Sequence, residues 1–207
     1  MDSDVLAAMA RWPDVPDAYG WLSLDARGRW RLHPDGDALD GGPGVSISNA
    51  GILAFISRNY DHDDQGRWFF QNGPQRVFVR LDAAPLVLRQ SDEAGRLTTH
   101  TGHPVDRIER WALDADGKLY AATEHGPAMV EDRYLPAVLE HMRTSSGRPL
   151  LDDPPGWLAD PRAAAPGPAP STPIVYPAVS PAASPLALLR EPASSAFGFV
   201  DRPAPPA

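Results

Sequence analysis

Short apolar stretches that alternate with polar positions dominate the chain. In the segment 76–81, Val77, Val79 and Leu81 share one face of a strand, with Arg76, Phe78 and Arg80 on the other. The segments 20–24, 86–89, 97–101, 110–113, 119–123 and 127–130 are similar short runs and predict further strands. Two segments carry helical spacing instead. Ile52, Phe55 and Ile56 predict a helix that Ser48 caps and that ends near Tyr60. Leu135, Val138, Leu139 and Met142 form an apolar stripe. Proline fits only the first turn of a helix, so Pro136 sets the start of this one near Tyr134.

A turn pattern recurs between the strands. Asp, two residues, Gly, a basic residue and Trp or Leu occur at Asp25–Trp30, Asp63–Trp68, Asp92–Leu97 and Asp114–Leu119. The aspartate hydrogen-bonds local backbone, glycine takes the positive φ that closes the hairpin, and the apolar residue opens the return strand. The basic residue is expected to face solvent. The spacings between the four turns are unequal, which excludes a strict solenoid period. Together they predict a mainly β fold, with antiparallel hairpins forming a small open barrel or sandwich with two helices. An α+β arrangement is the alternative.

The boundaries follow composition. Residues 1–10 form an N-terminal extension and residues 11–145 the β-rich domain. Residues 146–190 are expected to be a Pro/Ala-rich disordered linker, because proline blocks helix and sheet hydrogen bonding. Residues 191–207 form a C-terminal segment with a docking motif, in which Phe197 and Phe199 alternate before Val200. This motif either packs back on the domain or meets a protein partner.

Charge and cysteine content narrow the chemistry. The net charge of −8 argues against nucleic acid or anionic lipid as partner. With no cysteine there are no disulfides, thiolate metal sites or thiol catalysis. No apolar run reaches the roughly 18–20 residues of a membrane span, and the start lacks the pattern of a secretory signal, so a cytoplasmic protein is expected. The preference for arginine over lysine, together with the Ala and Pro excess, points to a GC-rich bacterial genome.

The candidate chemistry is sparse. Residues 61–66 imitate the start of a calcium loop, but Asn72 stands where that loop needs a bidentate glutamate. No nucleophile elbow or phosphate-cradling loop is present, and no catalytic residue is assigned. His100, His103 and His125 would form a three-histidine site for a divalent metal if the third and fourth hairpins were neighbours. The segment after the second turn carries Trp68, Phe70, Gln71, Asn72 and Gln75, a set of aromatics and amides that could bind a ligand. Trp21, Trp30, Trp68 and Trp111 flank hairpins and are expected as core pillars. Arg76 and Arg80 are expected on a solvated strand face.

Two stretches, RWPDVPDAYGWLSLDARGRWRL and FISRNYDHDDQGRWFFQNGPQRVFVRL, resemble an uncharacterised family of small proteobacterial proteins, a domain of unknown function. The likeness runs from about Trp12 to Arg143, with an echo in FGFVDRPAP. The glycine-rich segment 40–44 and the Pro/Ala tail read as departures from it. The resemblance implies no activity, cofactor or site residue. WALDADGKLYAATEHGPAMV is also similar to one repeat of the β-propellers of bacterial sensor proteins, a likeness that hairpin chemistry explains. The functional expectation is a non-enzymatic binding or interaction module. The alternative is a metal-dependent or small-ligand-binding enzyme using the histidine cluster.

Overall fold

The computed structural model describes residues 1–163 and 167–206. Residues 164–166, within the expected linker, and the terminal residue 207 lie outside the described residues. The fold is mainly β, with two sheets, one of them curled into a half-barrel. The chain forms two compact units: residues 1–85 with 198–207, and residues 86–197.

Unit 1 opens with helix α1 (Ser3–Arg11), which covers most of the expected N-terminal extension. It is tied down at its start, where Asp2 pairs with Arg58 and the Asp2 amide donates to Asn59 Oδ1 at 2.8 Å. Six strands follow: β1 (Ala18–Leu24), β2 (Trp30–Leu32), β3 (Val45–Ser46), β4 (Tyr60–His62), β5 (Trp68–Asn72) and β6 (Gln75–Leu81). Their order in the sheet is β3-β2-β1-β6-β5-β4. The hairpins are antiparallel, but the central pair, β1 with β6, is parallel. Helix α2 (Ala50–Arg58) lies between β3 and β4. Its cap is Asn49 rather than Ser48: the Asn49 side chain accepts from the Ile52 amide.

Unit 2 repeats this topology. Its strands β7 (Leu86–Gln90), β8 (Leu97–Thr99), β9 (Pro104–Val105), β10 (Ile108–Leu113), β11 (Leu119–Thr123) and β12 (Gly126–Val130) run in the order β9-β8-β7-β12-β11-β10. Each pair has the same sense as its counterpart, including the parallel central pair β7 with β12. The four aspartate turns therefore fall into two equivalent pairs. Asp25 and Asp92 close the β1–β2 and β7–β8 hairpins, and Asp63 and Asp114 close β4–β5 and β10–β11. A helix separates β3 from β4, whereas only two residues separate β9 from β10. This difference makes the turn spacing uneven.

Unit 2 then departs from unit 1. Helix α3 (Leu135–His141) begins where Pro136 requires, after a 3₁₀ turn over Asp132–Tyr134. Strand β13 (Arg143–Thr144) and helix α4 (Gly156–Ala159) follow. The tail expected as disordered supplies β14 (Ser171–Tyr176) and β15 (Ser180–Leu188). Strand β15 pairs parallel with β10, and the Leu189 amide donates to Leu113 O. The physical reason is alternation: Ile174, Tyr176, Leu186 and Leu188 are buried at every second position. Burying those side chains, with β15 paired to β10 and β14 to β15, outweighs the poor strand propensity of the prolines. Helix α5 (Ala193–Phe197) closes this unit, with Arg110 stacked over the Phe197 ring.

The last residues return to unit 1. Phe199 is buried, the Val200 amide donates to Gly66 O at 2.9 Å, and Asp201 O accepts from Leu81 N at 2.8 Å. Of the expected motif Phe197, Phe199 and Val200, Phe197 belongs to unit 2, whereas the last two lie beside the second turn. Gly66 is required there, because it has φ +73° and a side chain would strike the Gly198 carbonyl.

Candidate functional site

The second turn and the strand after it organise the site region. Asp63 Oδ1 accepts from the amides of Gln65 and Arg67, both at 3.0 Å, and Arg67 Nε donates to Asp63 Oδ2 at 2.7 Å. Asp25 with Arg29 and Asp92 with Arg96 make the same side-chain contact. In these three turns the arginine folds back on its aspartate instead of merely facing solvent. Burial raises the Asp63 carboxyl, but the Arg67 guanidinium and the two amides outweigh it and hold the group below its ordinary value. Asp63, the second acid position of the calcium-loop imitation, is engaged by this turn, and Asp61 accepts from the His62 amide.

Strand alternation then sorts the predicted ligand residues. Phe70 and Asn72 face one side of β5, while Phe69 and Gln71 face the other. Gln71 is buried and donates through Nε2 to Gly73 O at 2.9 Å, so its amide serves the turn. Trp68 is buried against the rings of Tyr60 and His62. Phe70, Asn72 and Gln75 instead line an apolar cleft of about 580 Å³. Gln75 is held there by a 3.0 Å bond from its Nε2 to Pro16 O.

Most of the cleft comes from residues the sequence reading did not assign. Leu22 and Leu32 pair across β1 and β2, and Val77 pairs with Phe70 across β6 and β5. Ile52 and Ile56 descend onto this wall from α2, and Phe55 of the same helix meets Phe70 edge-on at 5.5 Å. Trp21 lines the rim at 46% exposure, in contrast to the buried Trp30, Trp68 and Trp111, so it is a cleft residue rather than a core pillar. Ile52 at 50% and Leu32 at 45% are also exposed. The sequence signal for them was the helical spacing of Ile52 and Ile56, which pointed to a buried stripe but not to an open one.

The arginines of β6 differ from expectation. Arg76 lies over the Phe69 ring at 4.7 Å, and Arg80 is buried. Arg80 donates to Ala38 O at 2.7 Å and pairs with Asp82 at 3.0 Å. Besides Asp82 it holds the backbone of the loop after β2, a long-range contact that strand periodicity cannot show.

The three histidines do not converge on one point. His103 and His125 are neighbours, with ring centroids 5.4 Å apart, but His125 Nε2 is engaged by Pro104 O at 2.8 Å. His100 turns inward, and its Nδ1 accepts the Val87 amide at 3.2 Å. Desolvation, with smaller contributions from Arg89 and His103, lowers its imidazole to about 3. Among the described residues, no group of three or more His, Asp or Glu side chains is arranged to hold a metal ion. Among the same residues, no helix is long and apolar enough to cross a membrane.

Comparison with known proteins adds a family but no activity. The family model DUF2944, described as a protein of unknown function (DUF2946), matches residues 1–204 and so includes the Pro/Ala tail that the sequence reading set apart. No curated protein matches. A solved DUF1285 family protein from Silicibacter pomeroyi DSS-3 is similar at 16% identity and a TM-score of 0.45, covering 70% of this chain and 87% of its own. Another, from Shewanella baltica OS155, is similar at 17% identity and a TM-score of 0.38, covering 56% and 87% respectively.

Proposed function

The chain belongs to the DUF2944 family, which passes on no activity, and from its own geometry we propose that it is a binding module whose unit 1 cleft takes a small apolar ligand with one hydrogen-bonding end. The observation that carries this reading is the cleft itself. Its volume of about 580 Å³ falls inside the roughly 300–1,000 Å³ of small-molecule sites. Its walls are aliphatic and aromatic, and its polar side chains are the amides of Asn72 and Gln75. Amides donate and accept without carrying charge, which suits a neutral amide or alcohol better than an ion. Trp21, Leu32 and Ile52 leave apolar surface exposed around it, and such surface marks binding sites when it is contiguous.

The reading places the module in a bacterial cytoplasm, supported by the cysteine-free, arginine-rich composition. Differential scanning calorimetry with decanamide tests the binding claim. The ligand is expected to raise the melting temperature of the wild-type protein but not that of Ile52→Asp. Ile52 is half exposed, so the substitution leaves the core intact while placing a charge in the cleft. Equal shifts for both proteins, or none for the wild type at millimolar ligand, would remove the cleft as the site.

A further inference from the structure

We propose that Ser23, His33 and Asp37 form a nucleophilic acyl-transfer site, closed in this structure by the glycine-rich loop 41–44, that acts on carboxylic esters bearing an anionic group. This inference goes beyond the cleft reading and does not rest on it. Leu22 faces the cleft, and Ser23, the next residue along β1, faces the other side of the sheet.

The geometry is that of a relay. Ser23 Oγ lies 2.8 Å from His33 Nε2, and His33 Nδ1 lies 2.9 Å from Asp37 Oδ1. A carboxylate only accepts, so Nδ1 carries the proton of the neutral ring. Nε2 is then left to accept the Ser23 hydroxyl proton. This tautomer is the one a serine nucleophile needs from its base, and Asp37 is the group that fixes it. The three residues come from β1, from the position just after β2 and from the turn that follows. For that reason no linear motif announced them.

The repeat shows that the fold does not require this arrangement. His33 N donates to Trp21 O, and at the matching position of unit 2 His100 N donates to Val87 O. Two residues on from these acceptors, unit 1 has Ser23 and unit 2 has Arg89. In unit 2 the histidine receives a backbone amide at Nδ1, and Arg89 pairs with Glu131. The same histidine position therefore takes a backbone amide at Nδ1 in unit 2 where unit 1 has the Asp37 carboxylate.

Access is controlled by the loop. Ser23 and His33 are fully buried. A methyl group added at Gly44 would stand 2.7 Å from His33 Nε2, and one at Gly42 would collide with the Asp37 carboxylate, so the loop backbone rests directly on the relay. Two arginines tether it. Arg80 donates to Ala38 O and Gly42 O, and Arg31 donates to Pro43 O. Both are direct cross-strand neighbours of Ser23. They also face a recess of about 480 Å³ that Arg27, Arg29, Asp25 and Asp82 complete. Four guanidinium groups against two carboxylates leave this recess cationic on a chain of net charge −8. An anionic group that enters it competes for Arg31 and Arg80 and loosens the tethers.

With the loop displaced, Ser23 Oγ bonds to the ester carbonyl carbon while its proton passes to His33 Nε2. The bond from that carbon to the alkoxy oxygen then breaks, and the leaving alkoxide takes the proton from His33. Water attacks the Ser23 ester in the same way, which releases the carboxylic acid and restores the hydroxyl.

A fluorophosphonate probe with the full-length protein, read by intact mass and peptide mapping, tests the site. One adduct on Ser23 is expected, absent in His33→Gln and formed at least ~100-fold more slowly in Asp37→Asn. Asp37 is partly exposed, at 42% of its side chain, so that variant keeps its fold, which circular dichroism checks. Arg31→Ala, which cuts the Pro43 tether, should label faster than wild type. 4-Nitrophenyl succinate should be hydrolysed in preference to 4-nitrophenyl butyrate. The proposal is overturned if Ser23 stays unlabelled in both the wild type and Arg31→Ala, or if Asp37→Asn labels at the wild-type rate. Preference for the neutral ester would overturn the anionic substrate class.

Discussion

His100 holds its imidazole in a place where protonation is costly, and this gives the protein a measurable acid sensitivity. The folded ring titrates near about 3, whereas an unfolded histidine titrates near about 6.5. Between these values the unfolded state binds the extra proton, so stability falls as pH falls. Urea titrations of the wild type and of His100→Gln should therefore converge from pH 6.5 down to pH 4, with the variant showing the shallower slope. The turn aspartates act in the same direction at lower pH. Asp25, Asp63 and Asp92 are held below the ordinary carboxyl value, so their contribution is complete above about 3.9 and is lost as pH drops through their folded values. Asp63→Ala should cost about 2 kcal/mol, the loss of hydrogen bonds to a charged group, as measured by urea denaturation at pH 7. The sequence showed these turns clearly, because an aspartate bonding its own turn is local chemistry. It did not show that Arg29, Arg67 and Arg96 fold back on their aspartates, because a basic residue after the glycine fits a solvated position equally well.

At the scale of elements, composition misled where alternation did not. The Pro/Ala content of the tail pointed to a linker, yet Ile174 with Tyr176 and Leu186 with Leu188 already had the period of a half-buried strand. The strand that receives Leu186 and Leu188, the edge strand β10, lies far away in sequence, and β14 then adds to β15. The docking of Phe199 was visible for the same reason: an aromatic beyond a Pro/Ala spacer needs somewhere to go. Phe199→Ala should destabilise the protein by about 3 kcal/mol or more, through loss of buried area and the cavity left behind, and this can be read from thermal melts. Gly66→Ala should also lower the melting temperature, because the Gly198 carbonyl occupies the space of the new methyl group. The parallel pairs of β1 with β6 and β7 with β12 were not legible, since alternation gives the face of a strand but not its neighbour.

For the whole molecule, one six-strand arrangement occurs twice, and the two occurrences differ in detail. The four similar turns mark this repeat, but α2 lengthens its first occurrence and so hides it from any test for a fixed period. The candidate chemistry proposed above lies in unit 1. There α2 stands off the sheet to leave an apolar cleft, and the other face of the same sheet carries the Ser23, His33 and Asp37 relay. Of the cleft, only Phe70, Asn72 and Gln75 were readable in sequence. Leu22, Leu32, Ile52 and Val77 are brought to it by four separate elements, and each alone reads as ordinary core. The central claim is that this cleft binds an apolar ligand, and methyl NMR with decanamide tests it most directly. Intermolecular nuclear Overhauser effects are expected from the ligand chain to methyl groups of Leu22, Leu32, Ile52 and Val77. A bound ligand with its contacts elsewhere, or no contact at millimolar concentration, would contradict the claim.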